Sequence, residues 1–225
     1  MLGSMLTLFC EERPNKKPPG GILIAFRDEH FRRFLIVSAL SGASMAFAWP
    51  LFPFVTIEIV GAAIWQIAVI GASWSLAAAL GQRVFGFLAD RIGRKPLLIA
   101  SMTCLFLFPL LYALATNWLQ LLAINVGVGF LISALSVVIP VYILDSAPEG
   151  QRGIYTASYN VVSGLTTFAG SLIGGAFGEY LLAFMDLRQM LFSALLLAAI
   201  MRLAAGLGFL TIWETLPKGS ALASP

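Results

Sequence analysis

Long apolar segments and short polar connectors alternate along the chain. Six of the segments reach the length of about 20 apolar residues that a helix needs to cross a bilayer. They run over 31–57, 65–89, 96–115, 118–144, 153–178 and 189–213. A lone strand leaves its backbone unsatisfied in lipid, and the alternating pattern of a membrane barrel strand is missing from these segments. The pattern therefore predicts an all-α, polytopic membrane protein with six transmembrane helices.

The composition agrees with a chain that lies in a lipid bilayer. Hydrophobic residues make up 59% of the sequence and charged residues 11%, whereas soluble domains carry about 25% charged residues. Cys10 and Cys104 are far apart and form no CxxC pair, so neither a disulfide framework nor a metal site is expected. We expect no cofactor and no nucleic-acid partner.

Lys and Arg are concentrated on one side of the predicted helices. That side carries Arg13, Lys16, Lys17, Arg27, Arg32, Arg33, Arg91, Arg94, Lys95, Arg152 and Lys218. Arg188 stands on the other side, and Arg83 and Arg202 lie inside predicted helices. The positive-inside rule places both termini in the cytoplasm, as an even number of helices requires, and we expect the cell membrane as the location.

The turn between the second and third helices, GFLADRIGRKPLL (86–98), gathers four charged side chains within six residues. A loop that only signals topology needs neither an Asp nor glycines. Glycine permits a tight reversal and a close helix approach. The turn resembles the GxxxDRxGRK signature found between the second and third helices of each half of the major facilitator superfamily. The matching residues are Gly86, Asp90, Arg91, Gly93, Arg94 and Lys95.

The resemblance implies a cytoplasmic gate. In that family the Asp of the turn docks on a helix of the opposite half and closes the cytoplasmic side. The basic residues of the turn then hold the loop at the anionic inner leaflet. Three further residues are interpreted as support for this gate: Arg83, Arg152 and Gly153.

Both ends of the chain resemble parts of the C-terminal half of a family member. The first 30 residues look like the end of a preceding helix followed by the central cytoplasmic linker. The last apolar segment with the ETLPK that follows it resembles the twelfth helix. We therefore expect a linker over 1–30, a six-helix bundle over 31–214 and a cytoplasmic tail over 215–225.

Glycines recur every four residues on one face of the fifth helix, at Gly170, Gly174 and Gly178. This spacing predicts close packing against a neighbouring helix. The segment GSLIGG (170–175) also resembles the core of the family's antiporter signature, but Ser171 stands where that signature has Pro. Helix packing is the interpretation that we favour.

Arg202 lies deep inside the last helix. It is twelve residues from Glu214 and fourteen from Arg188, which places it about 18 to 21 Å from either end of the helix. A charge at that depth must face protein or water. It is either a structural residue bonded to carbonyls or polar groups of adjacent helices, which we favour, or part of a substrate or coupling site.

By analogy with the family, helices one, two, four and five line the substrate path. The candidates are polar and aromatic side chains on these helices: Ser41, Ser44, Trp49, Gln66, Ser73, Trp74, Asn125, Tyr159, Asn160 and Thr167. Near the outer end of the first helix, Pro50 and Pro53 are expected to kink or end it.

The sequence is interpreted as one six-helix half of an alternating-access transporter for a small solute. Its expected partners are the lipid bilayer and a second half, either separately encoded or a second copy of the chain. The alternative is a non-transporting membrane protein, either a gene fragment or an accessory subunit that binds another membrane protein. Hydrolase, metalloprotease and P-loop motifs are missing from the sequence, so we expect no enzyme.

Overall fold

The computed structural model describes residues 23–215, and six of the helices in that range are long and apolar enough to cross a membrane. They are α1 (Glu29–Ile59), α2 (Ile64–Ile92), α3 (Arg94–Leu114), α4 (Trp118–Ser146), α5 (Arg152–Leu182) and α6 (Leu187–Thr211). A short helical turn, Leu23–Arg27, precedes α1. All six predicted spans are confirmed, each within four residues of the expected bounds. The predicted regions 1–30 and 215–225 lie largely outside the described residues.

Side-chain caps and glycines set the ends of these helices. Asp28 accepts hydrogen bonds from the backbone of His30 (2.9 Å) and Phe31 (3.2 Å), which satisfies free N–H groups at the start of α1. Between α2 and α3 the chain reverses at Gly93, whose φ of 98° strains any residue with a Cβ. The reversal predicted for the charged turn is therefore confirmed.

Two helix pairs form the body of the bundle, α2 with α4 and α1 with α5. Glycines bring both pairs into backbone contact. A Cβ on Gly129 of α4 would overlap the carbonyl oxygen of Trp74 in α2, and one on Gly174 of α5 would overlap that of Phe47 in α1. Gly170 is equally tight against Ala43. The close packing predicted for the glycine face of α5 is confirmed.

The helices α3 and α6 complete the bundle. They pack against each other, and α3 also contacts α4 while α6 contacts α1, so they join the two pairs. Gly206 of α6 permits the approach, because a Cβ there would lie 2.9 Å from the Cα of Thr103 in α3. The apolar core between all these helices is built mainly from aromatic and branched side chains.

Both α1 and α3 are interrupted. In α1 the first α-helical segment ends at Phe47, and the chain continues through a turn (48–51) and a short α-helical segment (Phe52–Phe54) into a π-helix (Val55–Ile59). In α3 the segments Arg94–Cys104 and Leu107–Leu114 are separated by two residues. Prolines are the usual cause of such breaks. The expected kink of the first helix is confirmed.

Candidate functional site

The charged turn is fastened to the end of α4 by Arg94. Its Nε lies 3.2 Å from Oδ2 of Asp145, and one terminal nitrogen lies 3.7 Å from Oδ1 of Asp90. A further nitrogen donates to the carbonyl of Ala89 at 3.3 Å. The guanidinium therefore links the turn to α4, and we call this side of the bundle the charged end.

Glu214, which follows α6, caps the start of α3. Its carboxylate accepts hydrogen bonds from the backbone N–H groups of Arg94 (3.1 Å) and Lys95 (3.0 Å), which have no partner within their own helix. A Cβ on Gly93 would lie 2.6 Å from Oε2 of Glu214, so glycine also leaves room for the cap. The hydroxyl of Tyr142 donates to the carbonyl of Trp213 at 3.0 Å and fixes the capping segment.

Sequence reasoning did not select Asp145 or Glu214 as site residues. The available signal was a carboxylate at the end of the fourth and of the sixth helix, on the side that carries most of the basic residues. Their partner Arg94 is 51 and 120 residues away, respectively, so only the fold brings them together.

Replacing Glu214 is expected to weaken the charged end. Glu214→Ala removes the acceptor for two backbone N–H groups, and we expect it to lower stability by about 1 to 2 kcal/mol. The corresponding fall in Tm, a few degrees, is measurable on the purified protein. Glu149→Ala, at an exposed position between α4 and α5, is the matched control. An equal fall in both variants would contradict the capping role.

Asp90 differs from the other carboxylates of the charged end because its side chain is 79% exposed. A Cβ on Gly86, one helical turn before Asp90, would meet nothing within 4 Å, and the same holds for Gly153 at the start of α5. Arg91 lies over the ring of Phe87 at 4.1 Å. The Asp90 carboxylate is therefore available for a group outside the described residues.

The exposed side of α5 divides into two strips. Bulky apolar side chains suited to lipid form one strip: Val161, Leu165, Phe168 and Leu172. About 90° around the helix, small or polar residues form the other: Gly153, Ala157, Asn160 and Gly164. We call the second one the open strip of α5.

The exposed side of α2 shows the same division. Its bulky apolar strip consists of Val69, Leu76, Leu80 and Phe87. Its open strip consists of small and polar residues: Ala68, Gly71, Ser75, Ala79, Gln82 and Gly86. Asp90 continues the open strip at the charged end. Arg83 is also exposed, next to Gln82.

Several of the predicted path residues are buried in the bundle or hydrogen-bonded within it. Ser41 and Ser44 are buried beside Arg202. Asn125 donates to the hydroxyl of Tyr112 at 2.7 Å and to the carbonyl of Leu121 at 2.8 Å. These side chains are turned into the bundle and not toward an open strip.

The α2 candidates are also engaged locally. Gln66 accepts from the backbone of Ala63 at 2.8 Å, and Ser73 donates to the carbonyl of Ile70 at 2.8 Å. Trp74 is half-buried against the core. Their side-chain polar groups therefore serve the helix itself or its packing.

The remaining candidates lie at or near exposed surface. Trp49 and Asn160 are exposed, and Thr167 is half-buried. Tyr159 is half-buried as well and stacks on Phe34 with ring centroids 5.9 Å apart. Asn160 is the candidate that belongs to an open strip.

Arg202 is 3% exposed and lies inside the bundle. One terminal nitrogen donates to the carbonyl of Met45 in α1 at 3.0 Å, and the other reaches the carbonyl of Leu105 in α3 at 3.5 Å. These contacts match the structural interpretation, in which the guanidinium bonds to carbonyls of adjacent helices.

The chain is similar to known proteins in its sequence and in its fold. The family model described as "Major Facilitator Superfamily" matches residues 34–224. The proton myo-inositol cotransporter hmit-1.1 of Caenorhabditis elegans is 28% identical over 114 residues, which are 51% of this chain and 19% of that protein. The D-xylose transporter of Levilactobacillus brevis is 29% identical over 98 residues, which are 44% of this chain and 21% of that protein. The matched region is thus about a fifth of each relative's length.

The crystal structure of the human organic anion transporter MFSD10 (TETRAN) has a similar fold. It superimposes with a TM-score of 0.62 at 20% sequence identity, covering 83% of this chain and 48% of that one. The fold described above therefore corresponds to about half of that transporter. With a family model matched over most of its length, six spanning helices and the charged turn, the chain belongs to the Major Facilitator Superfamily.

Proposed function

We propose that this chain is one six-helix half of a transporter that moves a small solute across the cell membrane by alternating access. The family and the named relatives support transport rather than catalysis. The second half is another six-helix unit, which packs on the open strips of α2 and α5.

The observation that carries this proposal is the pair of exposed amides, Gln82 and Asn160. Gln82 is eight residues from Asp90, and Asn160 is eight residues from Arg152. Both therefore lie about 12 Å from the charged end. A polar amide exposed to hydrocarbon at that depth is costly, so both must face protein or a water-filled path.

The matching depths suit a contact between α2 of one unit and α5 of the other. These helices run in opposite directions through the bundle, so Gln82 meets an amide at the depth of Asn160, and small residues meet small residues above and below. Asp90 then reaches the start of the facing α5-like helix, where free N–H groups and the helix dipole favour a carboxylate. Release of this contact opens the cytoplasmic side.

The solute that this face fits best is small, neutral and rich in hydroxyl groups. When the contact between the two units is released, the open strips within 68–86 and 153–164 present a hydroxyl and two amides, which bond neutral donors and acceptors. Relatives are named for myo-inositol and D-xylose transport. Uptake of labelled myo-inositol and D-xylose into proteoliposomes that contain the chain and its second half tests this choice. Uptake of a different solute that neither myo-inositol nor D-xylose inhibits would contradict it.

The proposed orientation places the charged end in the cytoplasm. We expect epitope tags at the turn 90–95 and after residue 215 to be accessible only from the cytoplasmic side. A tag between α5 and α6, over 183–186, should be accessible from outside intact cells. Labelling of the 183–186 tag only after permeabilisation would rule out this topology.

A further inference from the structure

Each interruption of α1 and α3 leaves a backbone carbonyl short of its helical partner. In α3, Pro109 has no N–H for the carbonyl of Leu105, which keeps one long backbone bond, from Phe108 at 3.3 Å. In α1, Pro50 has no N–H for Ala46, and the N–H of Trp49 donates to Ala46 at 3.1 Å in place of Met45. The carbonyls of Leu105 and Met45 are thus among those that the breaks deprive of their i+4 donor.

Arg202 supplies a donor to both of these carbonyls. Its guanidinium donates to Met45 at 3.0 Å and to Leu105 at 3.5 Å. Within residues 23–215 no carboxylate forms an ion pair with it. The guanidinium therefore bonds to one carbonyl at each of the two breaks.

The same guanidinium also contacts the outer segment beyond each break. Its Cζ lies 5.8 Å from the ring centroid of Phe52, which follows the break in α1. It lies 5.6 Å from the ring centroid of Phe108, which follows the break in α3. Cation–π attraction extends to about 6 Å and strengthens where the cation is buried, as Arg202 is. The two rings pack on each other with centroids 4.7 Å apart.

We propose that Arg202 is a positioning residue that joins the inner and outer segments of both broken helices. The Arg202 side chain contacts a carbonyl before each break and an aromatic ring after it. These contacts fix the angles at which the outer parts of α1 and α3 leave the bundle. The outer part of α1 carries the exposed Trp49 and the π-helix, so Arg202 sets the shape of this end of the protein.

A double-mutant cycle tests this role on the purified full chain in lipid nanodiscs. Arg202→Met keeps an unbranched apolar stem but leaves two buried carbonyls without a donor, and we expect Tm to fall by about 5 °C or more. Pro109→Ala restores an N–H that bonds to Leu105. In the Pro109→Ala background the fall caused by Arg202→Met should therefore be clearly smaller. An equal fall in both backgrounds overturns the proposal.

Tyr155→Phe is the matched control for the cycle. It removes a hydrogen bond of 3.0 Å to Asp28 at the charged end, far from both breaks. Its effect on Tm should be the same with Pro109 and with Ala at that position. If Arg202→Met gives no folded protein, Arg202→Lys takes its place, because a single ammonium nitrogen does not reproduce the two separated terminal nitrogens that bond the two carbonyls.

A second measurement reports the position of the outer segment directly. Val55 in the π-helix is 2% exposed. In a background with Cys10→Ser and Cys104→Ser, Val55→Cys should react slowly with a membrane-impermeant maleimide. Adding Arg202→Lys should raise the labelling rate several-fold, whereas adding Tyr155→Phe should not change it. An unchanged rate with Arg202→Lys contradicts the positioning role.

Discussion

Gly174→Leu is expected to leave almost no folded protein. The α1–α5 pair depends on backbone contact at this residue, because a Cβ there would overlap the Phe47 carbonyl oxygen and lie 2.8 Å from the Phe47 Cα. Backbone atoms cannot move aside as a flexible side chain does, so the helices must separate. We expect a loss of at least about 3 kcal/mol, at the upper end of overpacking costs. Size-exclusion chromatography of the detergent-solubilised protein measures the folded fraction.

The same substitution at Gly164 is the matched control. Gly164 lies on the same helix, but a Cβ there would meet nothing within 4 Å. Gly164→Leu should therefore fold normally. Because Gly164 belongs to the open strip of α5, the added side chain should block packing of the second half and abolish transport. Equal folded yields for the Gly174 and Gly164 variants would contradict the described helix packing.

Asp90→Asn is expected to reduce transport by about tenfold or more while the protein stays folded. The exposed carboxylate has only a 3.7 Å contact with Arg94 in the bundle, so its loss affects stability little. In the proposed gate the charge bonds to N–H groups of the facing helix, and such charge-assisted bonds contribute about 1.5 to 3 kcal/mol. If the state with the closed cytoplasmic gate loses that energy, the rate of transport falls by about tenfold or more.

Glu179→Gln serves as the control for Asp90→Asn. Glu179 is an exposed carboxylate near the opposite end of α5, away from the proposed gate. Its neutralisation should leave uptake unchanged. If Asp90→Asn transports at the unmodified rate, Asp90 is not part of a gate.

Features that depend on one helix and its immediate neighbour could be predicted from the sequence. Span lengths follow from apolar segments, and the glycine face of α5 follows from a four-residue spacing. The reversal at Gly93 follows from the local need for a positive φ. Each of these features is encoded within a few turns of chain.

Features that join distant segments could not be predicted. The cap that Glu214 provides links residues 120 apart, and the carbonyls that bond Arg202 belong to two other helices. Polar residues such as Ser41 and Asn125 were selected by type, but the side of the helix that faces the core decides their role. That choice depends on how all six helices pack.

The most direct measurement of the central claim is the composition of the transporting unit. A chain with Asp90→Cys and Gly153→Cys, in a background without Cys10 and Cys104, should form a disulfide crosslink between two six-helix units. The second unit is either another copy of this chain or a co-expressed half with cysteines at the matching positions. A pair placed at matching depth on the bulky strips, Leu76→Cys with Leu165→Cys, should not crosslink. Transport is expected to require two such units. A purified chain that is monomeric in mild detergent and in lipid, and that transports a solute in that state, would contradict it.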